Sequence, residues 1–318
     1  MTVTGAPATT TASGRRDSAP APKPRRGRSK VNRYTAAPLI LIAANVVLFA
    51  LFFVWPAIIG LGYSFTNYTG VGDPQFVGVS NYAQLIGDPS FYAALLRTVE
   101  FTVVVVPLSY VVSLFIANLM VSDYAKGKLV ARVIFFLPWL VSPIITGVIW
   151  RWLFGENFGL INFVIESLGG KAVPWQSNAN LSLLVVVFAA TWAGMAFSML
   201  LFIAAIKNVP TSYYEAASLD GAGPVRLFFS ITLPNIAPTS FIVILLTTIG
   251  TMKEYALFVS LNNGGPGTDN NLLVQYIYQT GFQRGQIGYA SAASFVLMII
   301  LMAVAVIQLL VNRKASSR

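Results

Sequence analysis

The residues able to do chemistry are limited first by two absences, because the 318-residue sequence contains no cysteine and no histidine. Thiol nucleophiles, zinc-finger and iron–sulfur ligation and histidine-based triads are therefore excluded. The remaining carboxylates and hydroxyls form no catalytic or metal-ligating constellation. The sequence predicts no catalytic residue and no metal site in this chain.

One apolar segment carries three polar residues and a phenylalanine on one helical face, at the spacing i, i+4, i+7 and i+11: Thr247, Thr251, Glu254 and Phe258. This face is a candidate for the wall of a cavity that handles the hydroxyl groups of a ligand. Lys253 lies one step round the helix and does not face Glu254. Two interpretations remain open beside this one: the charged side chains reach the outer headgroups, or they pair with another subunit.

Three aromatic side chains inside apolar segments are further candidates for a ligand pathway, because an aromatic face can stack on the apolar face of a ligand: Tyr110, Trp139 and Trp192. Tryptophan is also the usual anchor at a membrane interface. Anchoring is favoured for Trp150 and Trp152, which are expected at a helix end. Trp139 and Trp192 are expected to lie deeper, where a cavity is the better interpretation.

The composition places these residues in a membrane. Hydrophobic residues make up 56% of the chain and charged residues only 10%, against about 25% charged in an average soluble domain. The mean hydropathy is +0.69. A soluble globule of this composition would expose large apolar patches, so a soluble single-core enzyme is excluded.

Six windows of 18 or more residues contain no Asp, Glu, Lys or Arg. Each includes an apolar run long enough for a hydrocarbon core of about 30 Å. The predicted fold is an all-α membrane protein with six transmembrane helices, near residues 38–64, 101–121, 131–153, 181–205, 237–258 and 289–311.

The net charge of +10 is concentrated at the N-terminus, where eight of the 21 basic residues lie within the first 33 positions. The same stretch is rich in Thr, Ser, Pro and Ala, so residues 1–34 are predicted to form a disordered basic tail. A basic tail before an apolar segment is typical of a cytoplasmic anchor, so no nucleic-acid partner is expected. An organelle transit peptide is a minor alternative.

The distribution of positive charge predicts the orientation. With the N-terminus in the cytoplasm, 16 basic residues lie on the inner side and five lie on the outer side or in the membrane. Because basic residues are enriched in cytoplasmic loops, both termini are predicted to be cytoplasmic. Residues 35–318 then form one six-helix domain, and residues 207–235 form a cytoplasmic loop.

This cytoplasmic loop contains aromatic and apolar residues among its charges, so it is expected to fold against a partner. Ser212 and Glu215 have the spacing of a capping box. Gly221 can adopt the left-handed conformation that closes a helix. These signals predict a short helix over 213–220, followed by a turn.

A second helical piece is predicted over 225–233, ending near Pro234. A helix of two turns is marginal alone in water, so the loop is expected to dock into a groove of a partner. The alternative is an interfacial connector stabilised by lipid headgroups.

The loop also matches a longer pattern, EAA-x3-G-x9-I-x-LP, which begins at Glu215. It resembles the EAA loop of permease subunits from bacterial binding-protein-dependent ABC importers, and it precedes the penultimate of six spans, as in that family. The resemblance implies that the loop couples the permease to a separate ATPase. The residues implied in coupling are Tyr213, Glu215, Ala216, Ala217, Asp220, Gly221, Ile231, Leu233 and Pro234.

The resemblance extends over about residues 38–312 and is similar to the maltose-type, carbohydrate-importing class. The segments that carry it outside the loop are FVGVSNY from Phe76, DPSF from Asp88, RVIFFLPW from Arg132, WRWLF from Trp150, GGPGT from Gly264, YIY from Tyr276 and GYASA from Gly288. It implies one half of the pore of an importer of oligosaccharides or related polyols. It also implies a multi-pass location in the bacterial plasma (inner) membrane.

The sequence contains no G-x-x-x-x-G-K-[ST] phosphate-binding loop. No cofactor is therefore expected in this chain, and ATP and Mg²⁺ would be bound by the partner ATPase. The partners that the resemblance implies are a second homologous permease subunit, two ABC ATPase subunits, an extracytoplasmic solute-binding protein, a sugar substrate and the lipid bilayer.

The main alternative is a stand-alone secondary transporter. It should have paired Gly/Pro-broken spans in two related halves and a coupling carboxylate near the midplane. The sequence shows no such halves, and Glu254 alone supports this alternative. A membrane-embedded enzyme would need a His, Cys or carboxylate constellation that the sequence lacks.

Overall fold

The computed structural model describes residues 1–2, 5, 33–122 and 127–316, so nearly all of the predicted tail lies outside it. Within these ranges the chain is helical, and the one β pairing is an isolated bridge between Thr66 and Phe76. The α-helices are α1 (Arg33–Phe49), α2 (Trp55–Ser64), α3 (Ser80–Ile86), α4 (Pro89–Val121), α5 (Lys128–Leu140), α6 (Pro143–Leu153), α7 (Leu160–Ser167), α8 (Ala179–Lys207), α9 (Thr211–Leu219), α10 (Pro224–Leu227), α11 (Leu233–Asn235), α12 (Ala237–Met252), α13 (Ala256–Leu261), α14 (Leu273–Tyr278) and α15 (Ile287–Ser316). Three π-helical segments lie between them, Ala50–Val54, Phe228–Thr232 and Gln279–Gln283.

Four helical stretches are long and apolar enough to cross a membrane: Pro38–Ser64, Pro89–Val121, Ala179–Lys207 and Ile287–Arg313. They coincide with four of the predicted spans, so the all-α membrane class is confirmed. Two further helix pairs are bent: Lys128–Leu140 with Pro143–Leu153 by 101°, and Pro224–Asn235 with Ala237–Met252 by 71°. The described residues reach six spans only if each of these pairs is one span. The described residues up to Trp55 form one compact unit, and Pro56 begins a second unit that holds the rest of α2 and the later helices.

The predicted third span, 131–153, is not one straight helix. Helix α5 ends at Leu140, α6 begins at Pro143, and the two axes are bent by 101°. Ser142 has an extended backbone with ψ of 142°, which is the conformation favoured by a residue before proline. The proline also lacks the amide that would continue the helical hydrogen bonds, so the span breaks here.

The predicted fifth span, 237–258, is also interrupted. Helix α12 ends at Met252, and α13 restarts at Ala256. Gly147 of α6 lies where a Cβ atom would be 1.9 Å from Ser260 Oγ of α13. Packing of α13 on α6 is therefore close at this glycine, and tertiary packing outweighs the helical pattern of the sequence.

The core of the second unit is built on two long helices, α4 and α8, that run parallel. Early residues of α4, including Phe101, pack with the early part of α8, including Val186. Late residues of α4, including Ala117, pack with Phe202 near the end of α8. We call the end near Val121 and Lys207 the loop end and the opposite end the distal end.

Helix α4 has 33 residues, which corresponds to a length of about 50 Å. Its first turns carry an ion pair between Arg97 and Glu100, with 2.9 Å between Nη1 and Oε2. The apolar residues that follow, 101–121, are the ones predicted as the second span. The helix is thus longer at its distal end than the predicted span.

At the distal end, Asp88 joins three helices through its carboxylate. Its Oδ1 accepts from the amide of Ser90 at 2.8 Å and caps α4. Its Oδ2 accepts from the hydroxyl of Tyr276 in α14 and, at 2.8 Å, from that of Tyr289 in α15. Burial alone would raise the pKa of Asp88, but hydrogen bonds from both tyrosines and from the amides of Ser90 and Phe91 outweigh it and lower the pKa.

The lowered pKa of Asp88 makes the stability of the distal end dependent on pH. The carboxylate stabilises the fold above its ordinary pKa, 3.8, and this stabilisation is lost as the pH falls through the lower folded value. We expect Asp88→Asn to lower the free energy of unfolding by about 1 kcal/mol at pH 7, since the carboxylate is partly exposed. Thermal unfolding of the unaltered protein and of Asp88→Asn in detergent, at pH 7 and at pH 3, measures this loss of stability. A stability difference of equal size at both pH values would contradict this role.

A close approach of two backbones lies beside Asp88. The amide of Gly288, at the start of α15, donates to the carbonyl oxygen of Tyr68 at 2.9 Å. A Cβ atom on Gly288 would lie 2.0 Å from the carbonyl oxygen of Thr66. Asn81 Nδ2 donates to the same Thr66 oxygen at 2.8 Å and closes the loop that follows α2.

Candidate functional site

A cavity of about 670 Å³ lies in the second unit, bordered by the break between α5 and α6 and by the break between α12 and α13. Its wall is formed by α4, α8 and α12, the α5–α6 break and the start of α13. Most of the lining is apolar, with a few hydroxyl groups and one carboxylate. The polar lining residues are Ser109, Thr146, Ser198, Thr247, Thr251 and Glu254.

Glu254 lies in the break between α12 and α13 and is partly buried. Its Oε1 accepts from the amides of Tyr255 and Leu257, both at 3.1 Å. One carboxylate oxygen therefore caps α13, and the second has no hydrogen-bond partner among the described residues. Lys253 is exposed and does not line the cavity, so the predicted separation of these two charges is confirmed.

An aromatic pair forms another part of the wall. Trp139 and Phe197 stack with ring centroids 5.0 Å apart and an interplanar angle of 22°. Both line the cavity, and Trp139 is half exposed. An indole presented this way offers a face on which an apolar ligand face can stack.

Three predicted pathway residues lie outside this lining. The hydroxyl of Tyr110 donates to or accepts from Ser240 Oγ at 3.0 Å, and Trp192 packs against the core of the loop end. Phe258 is fully buried behind Phe101, with ring centroids 4.9 Å apart. The prediction of one continuous face ending at Phe258 is wrong, because the helix ends at Met252 and α13 takes a new direction.

Three polar lining residues were not predicted: Ser109, Thr146 and Ser198. Each lies on a helix whose composition is otherwise apolar, so isolated hydroxyls give little signal. Thr146 is fully buried, and its Oγ1 has no hydrogen-bond partner among the described residues. Its position three residues after Pro143 was the one available signal, because proline marks the break beside the cavity.

At the loop end, the loop of residues 207–235 has two faces. Tyr214, Ile231 and Leu233 pack against the core, and Tyr214 Oη lies 2.9 Å from Thr232 Oγ1. On the other face, Leu219 is 90% exposed and Phe229 is 61% exposed. The remaining predicted coupling residues are mostly exposed: Tyr213, Glu215, Ala216, Asp220, Gly221 and Pro234, with Ala217 half-buried.

The predicted capping box does not form. Helix α9 begins at Thr211 with Pro210 as its N-cap and has no side-chain capping bond. Ser212 is therefore inside the first turn, where its hydroxyl cannot cap. The predicted second piece, 225–233, is α10, a π-helical turn and α11, which together form a continuous helical run that includes Pro234 and ends at Asn235.

The predicted left-handed glycine is confirmed, since Gly221 has a φ of 77°. Its amide donates to Ser218 O at 3.0 Å, and the amide of Ala222 donates to Ala217 O at 2.9 Å. These bonds satisfy carbonyls that the helix end would leave unpaired. The exposed faces of α9 and α10 are thus oriented by one residue.

No group of three or more Asp or Glu side chains within the described ranges could hold a metal ion. The arrangement provides instead a cavity between broken helices and a loop with an exposed apolar face at one end of the bundle.

Comparison with known proteins relates this arrangement to transport proteins. Residues 109–317 match the family described as the binding-protein-dependent transport system inner membrane component. The sn-glycerol-3-phosphate transport system permease protein UgpA of Yersinia pestis bv. Antiqua (strain Antiqua) is 33% identical over 275 residues, covering 85% of this chain and 92% of that protein. The arabinooligosaccharides transport system permease protein AraP of Bacillus subtilis (strain 168) is 34% identical over 280 residues, covering 86% of this chain and 88% of that protein.

A solved structure supports the same fold. It is a bacterial alginate ABC transporter in complex with an alginate pentasaccharide-bound periplasmic protein. The matching chain gives a TM-score of 0.78 at 20% identity, covering 89% of this chain and 96% of that chain.

Proposed function

The chain belongs to the family of binding-protein-dependent transport system inner membrane components, and on that premise we propose that it forms one half of the translocation pore of an ATP-driven sugar importer. It is a membrane-spanning permease of the sugar ABC transporter class, and its relatives are transport subunits, not enzymes. The match of residues 109–317 to this family is the observation that carries the proposal, and the cavity adds a sheltered polar and aromatic surface between membrane-spanning helices.

The pathway for the sugar runs along the cavity wall that contains Trp139, Thr247, Thr251 and Glu254. Hydroxyl groups of the sugar exchange hydrogen bonds with the threonines, and its apolar face stacks on the indole. The second half of the pore comes from a homologous permease subunit, and an extracytoplasmic binding protein delivers the sugar. The relative named for arabinooligosaccharides supports a substrate rich in hydroxyl groups.

The loop of residues 207–235 couples this half to a separate ATPase. Its packed face, with Tyr214, Ile231 and Leu233, ties it to α4 and α8, while Leu219 and Phe229 are available to a partner. Two ATPase subunits bind ATP and Mg²⁺. Closure of the ATPase dimer moves the docked loop as a lever, and the cavity then changes the side on which it opens.

The coupling loop and both termini are cytoplasmic, and the membrane is the bacterial plasma (inner) membrane. The distribution of 16 basic residues on this side against five elsewhere supports that orientation. Residues 35–318 form the permease domain, and residues 1–34 form a basic cytoplasmic tail.

Purification of the chain with its partner subunits in mild detergent tests the proposal. We expect an ATPase at roughly a 1:1 subunit ratio and, after reconstitution with the binding protein, sugar uptake that requires ATP hydrolysis. In intact cells that express the tagged chain, an epitope tag at the exposed Asp269 should react with antibody added to the outside of the cells. Uptake driven by an ion gradient without any ATPase would identify a secondary transporter instead, and a protected tag would contradict the orientation.

A further inference from the structure

The cavity lining carries charge of only one sign. Glu254 is the single ionisable side chain among the residues that line the cavity, and no Lys or Arg is among them. Arg151 lines a different depression of about 470 Å³, and Glu156 lies in that same lining. A ligand in the cavity therefore meets one negative charge from this chain and no positive charge.

The negative charge is held in place. Glu254 Oε1 is fixed by the amides of Tyr255 and Leu257, which orients the carboxylate by the backbone rather than by a flexible side-chain partner. Arg97 and Glu100 form the single ion pair within the described part of the chain, so no described cation forms an ion pair with Glu254. In a partly buried site, an unneutralised carboxylate acts on a ligand charge with a low effective permittivity.

The remaining lining suits an uncharged ligand with hydroxyl groups. Thr146 Oγ1 is buried, unpartnered and part of the lining. Thr251 Oγ1 already donates to Thr247 O at 2.9 Å, so its oxygen is left to accept from a ligand hydroxyl. The Trp139–Phe197 stack supplies an apolar face, as sugar rings require on one side.

Building on the proposed function, we propose that this subunit selects uncharged sugars and polyols, and that Glu254 disfavours anionic ones such as uronic acids and phosphate esters. An anionic group brought near the carboxylate would be repelled without compensation from the lining. Neutral hydroxyls would instead donate to the free Glu254 oxygen, a charge-assisted hydrogen bond that is stronger than one between neutral groups.

The test is equilibrium binding to the assembled complex in lipid nanodiscs, with the solute-binding protein omitted so that its own selectivity does not contribute. The probes are matched pairs of a neutral compound and its acid: maltitol with maltobionate, lactitol with lactobionate, and glycerol with sn-glycerol-3-phosphate. We expect a neutral probe to bind at least about tenfold more tightly than its acid, given the repulsion between like charges at a few ångströms.

Glu254→Gln removes the charge and keeps an oxygen that can cap α13. It should reduce this ratio at least about threefold, mainly through tighter binding of the acid. Lys253→Gln, an exposed neighbour outside the lining, is the matched control and should leave the ratio unchanged. Equal or tighter binding of the acids by the unaltered protein, an unchanged ratio in Glu254→Gln, or no binding of any neutral probe would each overturn the proposal.

These outcomes are separate from failure of the proposed function. A complex that assembles with its ATPase and imports an anionic substrate with ATP would still be an importer, and only the selectivity of Glu254 would be wrong. A chain that binds neutral sugars but recruits no ATPase would contradict the importer and leave the selectivity standing.

Discussion

A Gly221→Val variant should keep its membrane helices folded and lose at least about nine-tenths of ATP-driven uptake. Gly221 has a φ of 77°, which a β-branched residue adopts at a cost of about 1–3 kcal/mol. No heavy atom lies within 4 Å of the added Cβ atom, so the penalty comes from the backbone and not from a clash. The loop relieves it by changing the angle between α9 and α10, and the exposed Leu219 and Phe229 no longer face the same partner.

Gly223→Val is the matched control, because Gly223 lies in the same loop, has equally open space and has a φ of −75° that valine accepts. Co-purification of the ATPase, ATP hydrolysis and sugar uptake in vesicles should fall in Gly221→Val and stay near normal in Gly223→Val. Normal uptake and normal binding-protein-stimulated hydrolysis in Gly221→Val would show that this loop is not the coupling element.

Gly288→Ala should destabilise the protein by about 1–3 kcal/mol, although alanine is the better helix former. The added Cβ atom would lie 2.0 Å from the carbonyl oxygen of Thr66 and 3.1 Å from that of Tyr63. Backbone atoms cannot rotate away as a side chain does. The start of α15 must therefore shift, which breaks the hydrogen bond from the Gly288 amide to Tyr68 and disturbs Tyr289 beside it.

The thermal midpoint of the purified complex measures this loss, and a decrease of several degrees is expected. Gly62→Ala provides the comparison, since Gly62 is also helical and has no heavy atom within 4 Å of the added Cβ atom. That variant should be neutral or slightly stabilising, because it reduces the freedom of the unfolded chain. If both substitutions raised the midpoint, the close approach at Thr66 would not exist.

The spans are the part of the fold that the sequence predicts best, because a hydrocarbon layer imposes both length and apolarity. The turn at Gly221 is predictable for a similar reason, since few residues accept a positive φ. The break after Met252 was not predictable. No Gly or Pro lies at 253–255, and the break depends on α13 packing against Gly147 in a different helix.

The same dependence on packing limits prediction of the cavity. Trp139 and Trp192 are indistinguishable by residue type and depth, yet Trp139 lines the cavity and Trp192 packs against the core. Which side of a helix meets the cavity is decided by neighbouring helices. Thr247 and Thr251 precede the break and line the cavity, whereas Phe258 follows the break and is buried outside the lining.

The extra length of α4 determines how the protein and its bilayer adapt to each other. Its 21 residues from Phe101 to Val121 span about 32 Å, close to the thickness of the hydrocarbon layer, and the 12 residues from Pro89 to Glu100 add about 18 Å. The distal turns are held by Asp88, Tyr276 and Tyr289, so this helix cannot tilt independently to match a thinner membrane. A thinner membrane is therefore matched by joint movement of α4, α14 and α15 or by deformation of the surrounding lipid, and not by tilt of α4 alone.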